Sequence, residues 1–79
     1  MRLDKFLKIS RLIKRRTVAK EAADNNLILI NGKVAKPSSS VETGNILQVS
    51  LGSKIREVKI TSLNQNEEMF ILLKEEKRF

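Results

Sequence analysis

The 79-residue sequence contains no cysteine and no histidine. Without cysteine there is no disulfide framework, no thiolate metal site and no thiol nucleophile. Without histidine the chain lacks the commonest general base and the usual metal ligand, so Ser/His/Asp and Cys/His catalytic sets are excluded. Tryptophan and tyrosine are absent too, and only three phenylalanines occur. Phe6 and Phe70 fall in apolar patterns that read as core, and Phe79, a terminal residue, is expected to fray. A surface that stacks single-stranded bases on aromatic rings is therefore disfavoured. No apolar run approaches the roughly 18 residues that span a membrane. The first twenty residues alternate charged and apolar positions, with neither a hydrophobic signal region nor a cleavage site, so the expected compartment is the cytoplasm. Glycine-rich phosphate loops are missing as well: no P-loop and no GxGxxG. The paired carboxylates Glu67-Glu68 and Glu75-Glu76 occupy a loop and a charged tail, where solvated surface is the ordinary reading. No enzyme, cofactor or metal is expected.

Acidic residues are scarce in one half only. Residues 1–36 hold ten basic residues against three acidic, whereas residues 37–79 hold six of each, so the first half carries the whole net charge of +7. An excess confined to half the chain is a patch, and a basic patch points to a polyanionic partner. A chain this short is expected to form one domain, 1–79, with a modest core.

Leu3, Phe6 and Leu7 recur at helical spacing, predicting a helix that begins near Arg2. Asp4 falls in its first turn, where the helix dipole favours a carboxylate, and can pair with Lys8. Ser10 to Arg16 reads as a bend with Leu12 and Ile13 turned inward. Thr17 is the expected N-cap of a second helix, with a narrow packing face of Val18, Ala19, Ala22 and Ala23, ended by Asn25-Asn26. Strand signals follow. "LILI" and "KVAK" flank Asn31-Gly32, a strong hairpin dipeptide. "PSSS" is a polar loop and Thr43-Gly44-Asn45 a turn. "ILQVSL", Gly52-Ser53 and "IREVKITSL" read as a second hairpin, with Leu47, Val49 and Leu51 on one face. "MFILLKEEKRF" is read as a strand pairing with 58–63, with a short helix as the alternative. The expected class is α+β: two basic N-terminal helices packed on a small, mostly antiparallel sheet.

The stretch "IKRRTVAKEAAD" sets a problem. Lys14, Arg15 and Arg16 crowd the N-terminal end of the second helix, where cations are disfavoured by roughly 0.3–1 kcal/mol each. A helix N-terminus also offers unpaired backbone N–H groups, and arginine presents a planar fork of donors to phosphate oxygens. The disfavoured charge is offset when a phosphate arrives. With Arg2, Lys5, Lys8, Arg11 and Lys20 in the same half, and Lys33 beside the hairpin turn, a rigid basic surface for the phosphates and 2′-hydroxyls of folded RNA fits best. Two other readings stay open. "TVAKEAADNN" could open a helix-turn-helix for duplex DNA, and segment 1–16 could lie on a membrane surface.

Three pieces of the chain resemble the S4 RNA-binding domain family. Arg2-Leu3-Asp4 matches the family's opening of the first helix. Arg16 matches the arginine that starts the second, with Arg15 in place of the usual Ser/Thr before it. Ile30-Asn31-Gly32 matches the Val-Asn-Gly hairpin. Asn26 replaces a usual glycine after the second helix, and Gly44-Asn45 a usual Gly-Asp. These matches cover 1–45, taken as the RNA-binding motif (the alpha-L motif), with 46–79 as C-terminal strands and charged tail. The run "MRLDKFLKISRLIKRRTVAKEAAD" and the ending "LLKEEK" are similar to small stand-alone bacterial members that serve ribosome quality control. This resemblance implies binding to the large ribosomal subunit, contact with ribosomal RNA and tRNA, and support of C-terminal tailing of stalled chains, with a tailing factor as a further partner; the chain is expected to be a monomer. It implies functional roles for Arg2, Asp4 and Arg16.

Overall fold

The computed structural model describes residues 1–77, so the expectation for Phe79 lies outside the described residues. Helix α1 spans Leu3–Ile9 and buries Leu3, Phe6 and Leu7. No side chain caps its start. Instead the polar loop after Lys36 crosses it, and the Leu3 and Asp4 N–H groups donate to the Ser39 and Pro37 carbonyls at 2.7 and 3.1 Å. These contacts satisfy two of the amides that a helix start leaves orphaned. The loop is itself braced, since the Lys36 N–H donates to Ser39 Oγ at 2.9 Å.

After α1 the chain bends as expected, with Leu12 and Ile13 buried. Helix α2 spans Arg16–Asp24, with Arg15 rather than Thr17 at the N-cap position and no side-chain cap. The reason is visible in the hydrogen bonds: the Arg15 carbonyl already accepts the Ala19 N–H at 3.0 Å, so Thr17 lies inside the first turn. The packing face is also narrower than expected. Ala19, Ala22 and Ala23 are buried, whereas Val18, one position off that stripe, is 40% exposed. The helix stops at a Schellman arrangement in which the Leu27 and Asn26 N–H groups donate to the Ala22 and Ala23 carbonyls at 3.0 and 3.2 Å. Asn26 takes the left-handed position, at φ 61°, which asparagine tolerates where glycine is more usual.

Among the described residues five strands follow: β1 (Ile28–Ile30), β2 (Lys33–Val34), β3 (Ile46–Leu51), β4 (Lys54–Ile60) and β5 (Phe70–Lys77). They form one sheet in the order β2-β1-β3-β4-β5, antiparallel at every step. The β1–β2 turn is made by Asn31 and Gly32 at φ 50° and 84°, the paired left-handed conformation that matches strand twist in tight hairpins. In β3 Leu47 and Val49 are fully buried and Leu51 packs beside them, as the alternation predicts. The C-terminal segment is a strand, but its partner is the whole of β4 rather than 58–63. The chain leaves β4 at Ile60 to enter the loop before β5, and a bulge at Glu57/Val58 absorbs the register shift.

The helices pack on Ile28, Leu47, Val49, Val58 and Ile60. Burying a side chain of this size contributes about 1.5–3 kcal/mol. Two of the open readings end here. The residue set that a membrane-surface helix would need (Leu3, Phe6, Leu7, Leu12 and Ile13) is buried in the core. The recognition helix of the DNA reading is replaced by β1 and its hairpin.

Candidate nucleic-acid interface

Arg2 holds the N-cap position of α1 and Arg16 is the first residue of α2. The fold sets these two helix starts beside one carboxylate. Asp4 is only 4% exposed. Its Oδ1 accepts the Lys5 N–H at 2.8 Å, Arg2 Nε at 3.1 Å and Arg16 Nη2 at 3.3 Å, and its Oδ2 accepts Arg2 Nη2 at 3.3 Å. The expected Asp4–Lys8 pair gives way to this arrangement. Two guanidinium groups and a backbone amide, all fixed by helix starts, outcompete one flexible ammonium.

The electrostatics follow from the same contacts. Burial alone would raise the Asp4 carboxyl, but donors from Arg2, Arg16 and the Lys5 amide more than offset it and hold the group below its ordinary value. Asp4 is thus an internal anion whose charge is consumed by its neighbours. The arginines are not consumed: their side chains remain 53% and 49% exposed. Each guanidinium has five N–H donors in a rigid fork, and the contacts to Asp4 use only some of them. The arrangement is a fixed pair of cationic forks, oriented from behind by a buried carboxylate and open to solvent in front.

The other basic candidates are all exposed. Lys5 and Lys8 lie on the outer side of α1, Arg11 and Lys14 on the turn, and Arg15 at the α2 N-cap. Lys20 stands one helical turn beyond Arg16. Lys33 sits in β2, and among the described residues no hydrogen bond or ion pair joins it to the Arg2–Asp4–Arg16 cluster. Arg11 has φ 65°, a left-handed backbone that costs a residue with a Cβ roughly 1–2 kcal/mol. It also borders an open cleft of about 440 Å³ shared with Gln65, Asn66 and Glu67.

One side chain in this region had no signal in charge counts. Arg56 in β4 donates from Nη2 to the Leu12 carbonyl at 3.1 Å, tying the basic turn to the sheet. The available clue is its parity: it shares a strand face with Val58 and Ile60, an unusual place for a cation.

The sequence matches the S4 domain family model over residues 1–47. The chain is 54% identical to the RQC P-site tRNA stabilizing factor of Bacillus subtilis, in an alignment covering 98% of this chain and 96% of that one. Its identity to the protein of the same name from Listeria innocua is 51%, covering 98% and 90%. Among solved structures, trimeric Heat Shock Protein 15 of Vibrio cholerae superposes with a TM-score of 0.83 at 28% identity, covering 92% of this chain and 81% of that one.

Proposed function

This chain belongs to the S4-domain family, and on that premise we propose that it is a non-catalytic RNA-binding protein of ribosome-associated quality control. It works in the cytoplasm as a monomer on the large ribosomal subunit, where it contacts ribosomal RNA and P-site tRNA and so supports C-terminal tailing of stalled chains by a tailing factor. The RNA-binding residues are Arg2, Lys5, Lys8, Arg11, Lys14, Arg15, Arg16, Lys20 and Lys33, with Asp4 orienting two of them. Residues 1–45 supply the binding motif and the later strands its support, within one domain.

The observation that carries this reading is the Arg2–Asp4–Arg16 cluster. It joins the N-terminal ends of both helices, presents two oriented guanidinium forks, and uses the residues by which the sequence resembles its family. Such forks suit phosphate oxygens, and ready-made geometry lowers the entropy lost on binding. The names of the relatives supply the ribosomal setting and the tRNA. The loaded α2 N-terminus is explained in the same terms: the single Asp4 charge, shared with Arg2, only partly offsets Arg16 from inside, and Lys14, Arg15 and the remaining donors of Arg16 await an external anion.

The test is co-sedimentation with purified large ribosomal subunits, with and without a stalled peptidyl-tRNA. Wild-type protein is expected in the subunit fraction. Arg16→Ala should bind about tenfold more weakly, with an unchanged circular-dichroism spectrum, because the side chain is half exposed and Arg2 still covers Asp4. Equal sedimentation of both proteins would remove Arg16 from the interface, and absence of both from stalled complexes would overturn the ribosomal reading.

A further inference from the structure

Residues 37–79 are neutral in total but not face by face. β4 pairs with β3 without interruption from Lys54 to Lys59, so Lys54, Arg56, Val58 and Ile60 project to one face. Val58 and Ile60 are buried there beneath the helices. In β5, Glu75 lies opposite Arg56 and Lys77 opposite Lys54, and directly opposed residues of an antiparallel pair share a face. Among the described residues of β4 and β5, the helix-side face therefore carries Lys54, Arg56 and Lys77 against Glu75 alone. The outer face carries Lys59 and Lys74 against Glu57 and Glu76, and Lys74 is taken up by Glu76 at 2.7 Å. One face has a cationic excess and the other has none.

The cationic end of the sheet adjoins the basic turn. Arg56 makes the join, since its guanidinium reaches the Leu12 carbonyl between Arg11 and Lys14. Glu75, the one anion that β4 and β5 carry on that face among the described residues, is weakly engaged: Lys54 Nζ stands 4.0 Å from its Oε1, with the two side chains 62% and 43% exposed. An exposed pair at that separation contributes little, so exchanging it for a phosphate costs little.

We propose that the phosphate-binding surface does not end with the N-terminal half. It continues from the Arg11–Arg16 turn across Arg56 onto Lys54 and Lys77, which hold a second stretch of sugar-phosphate backbone of the same RNA. This extension rests on the RNA-binding reading above. Arg56 acts as a positioning residue that keeps the two parts of the surface in register, and Lys54 and Lys77 make the contacts.

Two double variants test it, each removing two positive charges from exposed positions. Lys54→Gln/Lys77→Gln strips the helix-side face and Lys59→Gln/Lys74→Gln strips the outer face. Binding to purified large ribosomal subunits is measured across a salt series. Each phosphate contact adds about 0.7–0.9 to the slope of log affinity against log salt. The helix-side variant should therefore lose about 1.5 from the slope and bind several-fold more weakly at moderate salt, while the outer-face variant keeps the wild-type slope. If both variants lose slope equally, or neither does, while wild type binds with a steep slope, the extension is wrong and the N-terminal reading survives. If wild type shows no salt-dependent binding at all, both fall together.

Discussion

At the scale of single residues the decisive group is Asp4, because two accounts of it predict opposite outcomes. On charge alone, Asp4→Asn makes the protein one unit more positive and should tighten its hold on RNA. On geometry, the substitution removes the anion that orients Arg2 and Arg16, and the forks lose their fixed aim. We expect weaker binding, by several-fold in a titration with large subunits at constant salt, and tighter binding would mean the forks need no orientation. The same variant has a stability signature. Removing the charge that accepts these bonds should cost about 1–3 kcal/mol near neutral pH. Because the folded carboxyl lies below its ordinary value of 3.8, its contribution is complete above that value and is lost as pH falls through the lower, folded one. Urea midpoints of wild type and Asp4→Asn should therefore stay apart at all pH above about 4 and converge only below it. Convergence already at mildly acidic pH would show that Asp4 is not held as the contacts require.

At the scale of elements, the turn between α1 and α2 sets stability against function. Arg11 occupies the left-handed position that follows the Ser10 C-cap, with its N–H donating to the Lys8 carbonyl at 3.1 Å. Glycine is the usual occupant there. Arg11→Gly should relieve roughly 1–2 kcal/mol of strain, less about 0.5–1 kcal/mol for the freer unfolded chain. The melting temperature is expected to rise by a few degrees while affinity for the large subunit falls; a rise in both would place the Arg11 side chain clear of the RNA. This strain was not legible in the sequence, because nothing local marks Arg11 as left-handed. What was legible had local causes: Asn31-Gly32 specifies its own turn, Leu47 and Val49 alternate into the core, and Asn26 can close a helix. What was missed depends on distant partners. Thr17 reads as a cap because nothing in the local sequence shows that the Arg15 carbonyl accepts the Ala19 N–H and so starts the helix earlier. The loop 37–40 looked merely polar because its role is to supply carbonyls to a helix some 35 residues earlier. In the sequence Arg56 is one charge in a neutral half, since only the folded turn gives its guanidinium a carbonyl to hold.

At the scale of the whole molecule, the concentration of cations that suits RNA works against the free protein. Its radius of gyration is 11.2 Å and its longest extent 34 Å. The screening length is about 30 Å at 0.01 M salt, about 10 Å at 0.1 M and about 3 Å at 1 M. At the lowest of these every cation on the molecule repels most of the others, and those at the start of α2 also oppose its dipole. At intermediate salt only near neighbours still interact. Added sodium chloride should therefore raise the melting temperature of the isolated protein by several degrees, with most of the gain complete by about 0.1 M, where the screening length falls below the radius of gyration. Over the same range its affinity for the large subunit should fall, because counterion release rewards binding least at high salt. Chloride is the appropriate anion, since sulfate strengthens apolar burial in any protein and would imitate the effect. The two curves running in opposite directions identify one set of charges as both the strain on the fold and the source of binding. A melting temperature that falls with added chloride would instead mean that attractive pairs, led by Arg2–Asp4–Arg16, dominate the charge energy of the free state. The patch would then be held together by its own counter-charge before any RNA arrives.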